Sequence, residues 1–178
     1  MARIPYLPVD LAEPRDLVDS IRARRGGKLV QIDRIMLHCP HLASGWNAWV
    51  GAVRASAALT PYQKELATCA TVILTDCEYE IVRHAPVFLK EGGSQAQLDA
   101  LADLPAAARN EALFNSMERA ILQLTFEMTR LVDVRPETFD AAARAVGSPQ
   151  AILELVAVVG TYNMAARMLK ALDLEVQL

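Results

Sequence analysis

The sequence predicts an all-α protein. Of its 178 residues 53% are apolar but only 6% are aromatic, and the apolar part is rich in Ala and Leu, which favour helices. Helix-capping motifs recur along the chain, and no segment alternates apolar and polar residues as a half-buried strand does. This length suits one hydrophobic core. We therefore predict a single helical bundle over residues 1–178.

The N-terminal part is predicted to be an extended arm followed by a short helical hairpin. Pro5, Pro8 and Pro14 restrict the backbone and predict an arm over residues 1–14. Residues 16–25 form the first predicted helix, which ends at the glycine pair that follows. Apolar residues then recur with helical spacing over residues 29–37, and another helix begins at Pro40 and passes through Val53.

The central part carries the strongest helix signals. Thr60 is a predicted N-cap, with Pro61 in the first turn and Gln63 placed for a reciprocal capping bond, and this helix extends to about Thr75. Asp76 is then predicted to cap a second helix, which contains Cys77 in its first turn and ends at residues 92–93.

The C-terminal part is predicted to contain further capped helices. Ser94 and Asn115 each begin a helix, residues 104–108 form a loop, and an apolar repeat predicts one continuous helix over residues 116–131. Another helix begins at Pro136, and the last begins at Ser148-Pro149. The last helix is apolar nearly all round over residues 151–172, which places it at the centre of the bundle or between subunits.

Charge and composition exclude several classes of protein. The net charge is −3 and the longest basic cluster lies within residues 22–25, which argues against a nucleic-acid surface. The N-terminus lacks a signal peptide, and polar residues interrupt the apolar stretches, so we expect a cytoplasmic protein without a membrane span. Three cysteines give an odd count and predict reduced thiols. The expected partners are a small-molecule substrate and other copies of the chain.

One cluster of residues carries chemistry. Cys77, Glu80 and His84 are spaced i, i+3 and i+7, which places them on one face of a helix. A Glu80 carboxylate bonded to His84 would fix the imidazole tautomer and leave the other nitrogen to transfer a proton. A first-turn position would stabilise a Cys77 thiolate, against the opposing charges of Asp76 and Glu78. A buried cysteine beside a salt-linked surface histidine is the alternative explanation.

The same residues resemble a known signature. Glu65, eleven further residues and then Cys77-Glu-Tyr-Glu80-Ile-Val-Arg-His84 are similar to the motif of the carboxymuconolactone decarboxylase and alkylhydroperoxidase D-like (AhpD-like) family. Residues 29–40 and 159–167 also resemble stretches of relatives. The resemblance implies an AhpD-like helical bundle that forms a homodimer, trimer or hexamer. We expect no cofactor and no metal, and a zinc site in the sequence His38-Cys39-Pro40-His41 is disfavoured.

The sequence departs from the peroxidase branch of this family at one decisive position. That branch uses a glutamate, a CxxC pair and a histidine, and Glu65, Cys77 and His84 match three of these positions. Glu80 occupies the place of the second cysteine and cannot form a disulfide. Cys69 lies eight residues before Cys77, about 12 Å along a continuous helix, so even with a bend its approach within the roughly 7 Å reach of a disulfide is not assured and its pairing stays open. Cys39 remains an open alternative partner.

Three functions follow as hypotheses. The first is a carboxymuconolactone decarboxylase-like lyase, in which His84, Glu80 and Glu65 transfer protons on a small organic acid or lactone and Cys77 lines the pocket. The second is an AhpD-like alkylhydroperoxidase, an oxidoreductase with peroxiredoxin-type activity at Cys77. The third is a non-catalytic helical oligomer that binds a ligand. The predicted substrate-binding residues are Tyr79, which stands where the peroxidase branch can have a proton-relaying histidine, and Tyr62, Trp46, Tyr162 and Asn163.

Overall fold

The computed structural model describes residues 2–176, and every regular element in this range is helical. The prediction of an all-α fold is therefore confirmed. The chain divides into two compact units, one formed by Met1–Ala55 with Leu169–Leu178 and the other by Ser56–Met168.

The first unit contains α1 (Arg15–Arg24), α2 (Gln31–Met36) and α3 (Pro40–Ala55) after an N-terminal segment without helix. Helix α1 stops at the predicted glycines, since Gly27 N donates to the Arg22 carbonyl at 2.8 Å and its φ of 91° is left-handed. The carboxylate of Asp33, only 1% exposed, accepts a 3.0 Å hydrogen bond from Arg25 Nε. This buried ion pair fastens α2 to the residue that ends α1.

The second unit contains the remaining helices. They are α4 (Pro61–Leu74), α5 (Glu78–Lys90), α6 (Gln95–Ala100), α7 (Leu104–Ala107), α8 (Ser116–Phe126), α9 (Pro136–Val146) and α10 (Pro149–Ala171), the last of which continues into the first unit at Leu169. The predicted capping box of α4 is present: Thr60 Oγ1 accepts from Gln63 N at 3.2 Å, and Gln63 Oε1 accepts from Thr60 N at 2.8 Å. Helix α4 packs against α5 and α8, with Leu66 and Ala70 fully buried.

Two predicted element boundaries are wrong. The predicted loop at residues 104–108 is the short helix α7, because the Asp103 side chain caps it by accepting from Ala106 N at 3.1 Å. Pro105 is tolerated there since first-turn amides need no helical partner. The predicted continuous helix over residues 116–131 is α-helical only to Phe126 and then widens into a π-helical turn over Glu127–Leu131.

The π-turn is built around a buried carboxylate. Val132 N donates to the Glu127 carbonyl at 2.9 Å, five residues back, which is the π-helical pattern. The Glu127 side chain is fully buried and accepts hydrogen bonds from Arg135 Nε at 2.9 Å and Thr138 Oγ1 at 2.8 Å. These bonds outweigh the effect of burial and lower the pKa of Glu127 to about 2. The buried carboxylate ties the end of α8 to the start of α9.

Helix α10 is buried along one face only. Leu155, Val159 and Ala166 are buried, whereas Leu153 is 68% and Met164 41% exposed, so one face lies in the core and another is open in the single chain. Its mean hydropathy of 1.3 over 18 residues is sufficient for a membrane span by length and composition, and half of that window is buried inside the protein. Core helices of water-soluble proteins have the same properties.

Candidate active site

The structure places the imidazole of His84 between two carboxylates. His84 Nδ1 lies 2.7 Å from Glu65 Oε2, and His84 Nε2 lies 3.5 Å from Glu80 Oε2. Glu65 comes from α4, while Glu80 is one turn before His84 on α5. The three side chains are 15%, 12% and 8% exposed in chain order. The shorter contact therefore joins Glu65 of α4 to His84 of α5. The sequence pattern had emphasised the Glu80–His84 pair within α5.

This arrangement stabilises the protonated imidazole. Burial by itself lowers the pKa of His84, but the hydrogen bonds and negative charges of Glu65 and Glu80 raise it by more, and the net pKa lies above the ordinary value of 6.5. A protonated ring donates to both carboxylates, whereas a neutral ring satisfies only one of them as a donor. The two carboxylates therefore favour the protonated form of His84.

Cys77 lies just before α5 and not in its first turn. Asp76, with φ of 50°, occupies the left-handed position that ends α4, and Cys77 N donates to the Val72 carbonyl at 2.9 Å. The left-handed backbone of Asp76 does not suit an N-cap, so the prediction that Asp76 caps α5 is wrong. Cys77 takes the N-cap place, and its carbonyl accepts from Glu80 N at 3.0 Å. The thiol is buried at the positive end of α5.

Cys69 is the second buried thiol near this site. It lies one turn after Glu65 on α4 and is 1% exposed. Burial and the nearby charge of Glu65 raise the pKa of the Cys69 thiol to about 12. The Cys69 side chain is therefore a neutral thiol, and Cys39 is exposed in the other unit.

Among the predicted substrate-binding residues, Tyr162 lies closest to the proposed chemistry. Its ring meets the His84 imidazole edge to face, with centroids 4.8 Å apart and planes at 80°. Tyr162 comes from α10, so three helices contribute to the surroundings of His84. The ring limits the tilt of the imidazole between its two carboxylates.

Tyr62 and Tyr79 contact residues other than His84. The Tyr62 hydroxyl donates to Glu118 Oε1 at 2.8 Å, and burial together with this bond raises the pKa of Tyr62. Tyr79 is buried, with the Arg83 guanidinium 3.7 Å from the centre of its ring. Neither Glu118 nor Arg83 was singled out from the sequence as a partner. Glu118 also takes part in the capping box of α8, since its Oε2 accepts from Asn115 N at 2.7 Å.

Asn163 and Trp46 have distinct surroundings. Asn163 is bonded to Thr129 and Arg167 within the second unit. Trp46 belongs to the first unit, and its buried indole nitrogen has no hydrogen-bond partner among the described residues. The roles of all nine predicted site residues remain predictions.

Other potential binding features lie apart from this cluster. A groove of about 580 Å³ between α9 and α10 is lined by residues that include Phe139, Gly147 and Ile152, and none of the predicted site residues lines it. Within residues 2–176 no group of three or more His, Cys, Asp or Glu side chains is arranged to hold a metal ion.

Comparisons with known proteins match part of the chain to a family. The model of the carboxymuconolactone decarboxylase family matches residues 40–121, a stretch that contains Glu65, Cys77, Glu80 and His84. No curated protein sequence matches the chain.

Several solved structures share the fold at low sequence identity. A cysteine-to-alanine variant of the debrominase Bmp8 in complex with 2,3,4-tribromopyrrole has a TM-score of 0.79 at 17% identity, covering 99% of this chain and 94% of that one. An alkylhydroperoxidase AhpD core, a peroxidase-related protein from Ralstonia eutropha JMP134, has a TM-score of 0.80 at 18% identity, covering 99% and 92%. A peroxidase-related protein from Silicibacter sp. TM1040 has a TM-score of 0.79 at 14% identity, covering 99% and 92%.

The matched segment includes the helices α4 and α5 that hold the carboxylate, imidazole and thiol groups, and the AhpD-like fold extends over nearly the whole chain. Residues 40–121 therefore match the carboxymuconolactone decarboxylase family, and the chain has an AhpD-like fold.

Proposed function

We propose that the chain is a carboxymuconolactone decarboxylase-like enzyme that transfers protons on a small organic acid or lactone. The observation that carries this proposal is the imidazole of His84 between Glu65 and Glu80, at 2.7 Å and 3.5 Å. The close Glu65 contact orients the ring and supports its basicity. The contact between Glu80 and His84 Nε2 is longer. A substrate therefore reaches Nε2 by displacing the Glu80 carboxylate.

The proposed reaction uses His84 as a general acid. Loss of carbon dioxide from the substrate carboxylate leaves an electron pair on carbon. That carbon takes the proton from Nε2, so a C–H bond forms as the N–H bond breaks, and neutral imidazole remains hydrogen-bonded to Glu65. Glu80 then passes a proton from water to Nε2, and the hydroxide that remains is released to the solvent. Positioned acid and base groups contribute about 10²- to 10⁴-fold each to such steps.

The test is an assay in deuterated water with carboxymuconolactone-like lactones and small β-keto acids as substrates. Carbon dioxide release and deuterium incorporation into the product are measured for the wild type and for His84→Gln. We expect His84→Gln to lose about 10²-fold or more of the rate. His41→Gln, which changes an exposed histidine of the other unit, serves as control. Equal turnover by the wild type and His84→Gln rejects the role of His84.

A second candidate is thiol chemistry at Cys77. Its support is the buried thiol at the N-cap of α5, where the helix dipole favours a thiolate. The thiolate attacks one oxygen of a hydroperoxide, giving a sulfenic acid and an alcohol, and an external thiol reduces the sulfenic acid. Among the similar structures, peroxidase-related proteins are consistent with this reaction, and the debrominase complex adds bromopyrroles to the compounds worth testing.

The thiol candidate is tested by trapping sulfenic acid with dimedone after stoichiometric hydroperoxide. Labelling that disappears in Cys77→Ser and persists in Cys39→Ser supports it. No labelling in the wild type, or full labelling in Cys77→Ser, counts against it. If neither assay detects turnover, a non-catalytic ligand-binding role becomes the better explanation of the fold.

We also infer that the chain acts as a homo-oligomer in the cytoplasm. Leu153 and Met164, eleven residues apart, lie three turns apart on one side of α10 and expose apolar side chains. Burial of this face by a second copy would remove it from water. Light scattering of the wild type and of Leu153→Glu tests the inference, and a monomeric wild type at micromolar concentration contradicts it.

A further inference from the structure

Both the nitrogen and the oxygen of the Asn163 side-chain amide are hydrogen-bonded. Its Nδ2 donates to Thr129 Oγ1 at 2.9 Å and to the Val159 carbonyl at 3.0 Å, and its Oδ1 accepts from Arg167 Nη1 at 2.6 Å. The bonds to Val159 and Arg167 remain within α10. The bond to Thr129 is different, since it joins α10 to the π-turn that follows α8.

The position of Thr129 depends on the π-turn. The turn inserts one extra residue relative to an α-helix, which shifts the direction of the side chains that follow Glu127. Glu127 is fixed by Arg135 Nη2 at 2.5 Å, by Thr138 Oγ1 at 2.8 Å and by the Arg135 backbone N–H at 3.0 Å. Thr129 is itself 5% exposed. Its hydroxyl is therefore a fixed acceptor for α10 and not a mobile surface group.

The residue before Asn163 contacts the candidate site. Successive residues of a helix point about 100° apart, so Asn163 faces the π-turn while Tyr162 faces His84 on α5. Rotation of α10 about its axis would break the Thr129–Asn163 bond and move the Tyr162 ring off the imidazole, where the centroids are now 4.8 Å apart. The Thr129–Asn163 hydrogen bond and the contact of Tyr162 with His84 are therefore compatible with the same rotation of α10.

We propose that Thr129 and Asn163 are positioning residues, which hold α10 so that Tyr162 keeps the His84 ring aligned with Glu65 and Glu80. The expected effect on turnover rests on the proposed proton-transfer function. The alignment of His84, however, can be measured without a substrate. The ionisable groups that the structure places against His84 are Glu65 from α4, Glu80 from α5 and Tyr162 from α10.

The experiment uses two substitutions that separate the hydroxyl of Thr129 from its shape. Thr129→Val keeps the branched side chain and removes the acceptor, whereas Thr129→Ser keeps the hydroxyl and removes the methyl. The ring resonances of His84 are followed by NMR in protein labelled with ¹³C-histidine and are assigned with His84→Gln. We expect Thr129→Val to shift them toward their positions in Tyr162→Leu, and Thr129→Ser to leave them in place.

A second variant and internal controls keep the test decisive. Asn163→Leu removes the donor from the other side and should reproduce the shift seen in Thr129→Val. Gln150→Ala on the exposed first turn of α10, and the resonances of His38 and His41, should not change. Circular dichroism confirms that each variant is folded. Unchanged His84 resonances in both Thr129→Val and Asn163→Leu overturn the proposal, as does an equal shift in Thr129→Ser.

Turnover separates this proposal from the function on which it rests. With an active substrate, Thr129→Val should lower kcat roughly 10- to 100-fold, since small misplacements of a reacting group have effects of this size. If the His84 resonances follow the hydroxyl but the wild type has no turnover, the proposed function fails and the positioning role stands. If kcat falls while the His84 resonances stay unchanged, the positioning role is wrong.

Discussion

The Nδ1 atom of His84 lies 2.7 Å from Oε2 of Glu65, a residue on the preceding helix. This contact links α4 to α5 through side chains that are 15% and 8% exposed. Charge-assisted hydrogen bonds of this length are stronger than neutral ones. This contact therefore favours the protonated imidazole and restricts its orientation, and the first two predictions depend on it.

Replacing Glu65 should lower the pKa of His84. Glu65→Gln keeps an oxygen that can accept a hydrogen bond but removes the negative charge that favours the imidazolium. The pKa of His84 is measured by NMR titration of the ring in the wild type and the variant. Glu78→Gln, at an exposed position in the first turn of α5, is the matched control and should have no effect. An unchanged His84 titration in Glu65→Gln contradicts the assigned role of this contact.

The stability of the protein should fall as the pH rises above about 6.5. The pKa of His84 is raised in the folded state, so between the unfolded and folded values the native protein binds more protons than the unfolded chain. This contribution is fully present below the unfolded value and is lost as the pH rises through the folded one. Urea unfolding between pH 6 and pH 9 measures it. His84→Gln should show a flatter dependence, and parallel curves for the two proteins would refute the assignment.

Removing Arg135 should destabilise the π-turn in a pH-dependent way. Arg135→Met leaves the buried Glu127 carboxylate without its cation, which should reduce the free energy of unfolding at pH 6. The pKa of Glu127 is lowered to about 2, so its stabilising contribution is present above the unfolded value near 4.5 and is lost as the pH falls toward 2. The difference between wild type and variant should therefore shrink at pH 3.

The control for this measurement is Arg144→Met, which changes an exposed arginine on the same helix, α9. It should alter stability by less than about 0.5 kcal/mol. A destabilisation by Arg135→Met that is the same at pH 3 and pH 6 would show that the side chain acts by packing and not through the charge of Glu127.

Gly93 should not tolerate a side chain. A Cβ atom at this position would lie 2.3 Å from Cε1 of Phe88, whose ring is fully buried and stacks on Tyr62 at a centroid distance of 5.5 Å. Gly93→Ala should cost about 1 to 3 kcal/mol of stability because the ring must move. Thermal unfolding should show a decrease in Tm of about 2–4 °C per kcal/mol.

Gly45→Ala is the matched control for that substitution. Gly45 lies inside α3 and has no atom within 4 Å of an added Cβ, so alanine should stabilise the helix by about 0.5 to 1 kcal/mol. If Gly93→Ala is as stable as the wild type, the packing of Phe88 is looser than the contact distances indicate.

Local sequence signals predicted most helix starts, because the capping side chain and its partner lie within three residues of each other. Thr60 with Gln63 and Ser94 with Gln97 form the expected bonds. The predicted helix boundaries are wrong where contacts outside the local capping pattern determine the backbone conformation. The buried contact of Arg135 with Glu127 accompanies the π-turn, and a left-handed Asp76 moves the start of α5 to Glu78.

The sequence by itself determined the helical fold, the family resemblance and the pairing of Glu80 with His84, since all of these depend on residue types at fixed spacing along one helix. Only the tertiary structure decided that Glu65 is the closer partner of His84, that Tyr162 covers the imidazole and that Asn163 is bonded to Thr129. Each of these contacts joins separate helices. Helical periodicity fixes which residues share a face, but the relative position and rotation of two packed helices arise from the side chains between them.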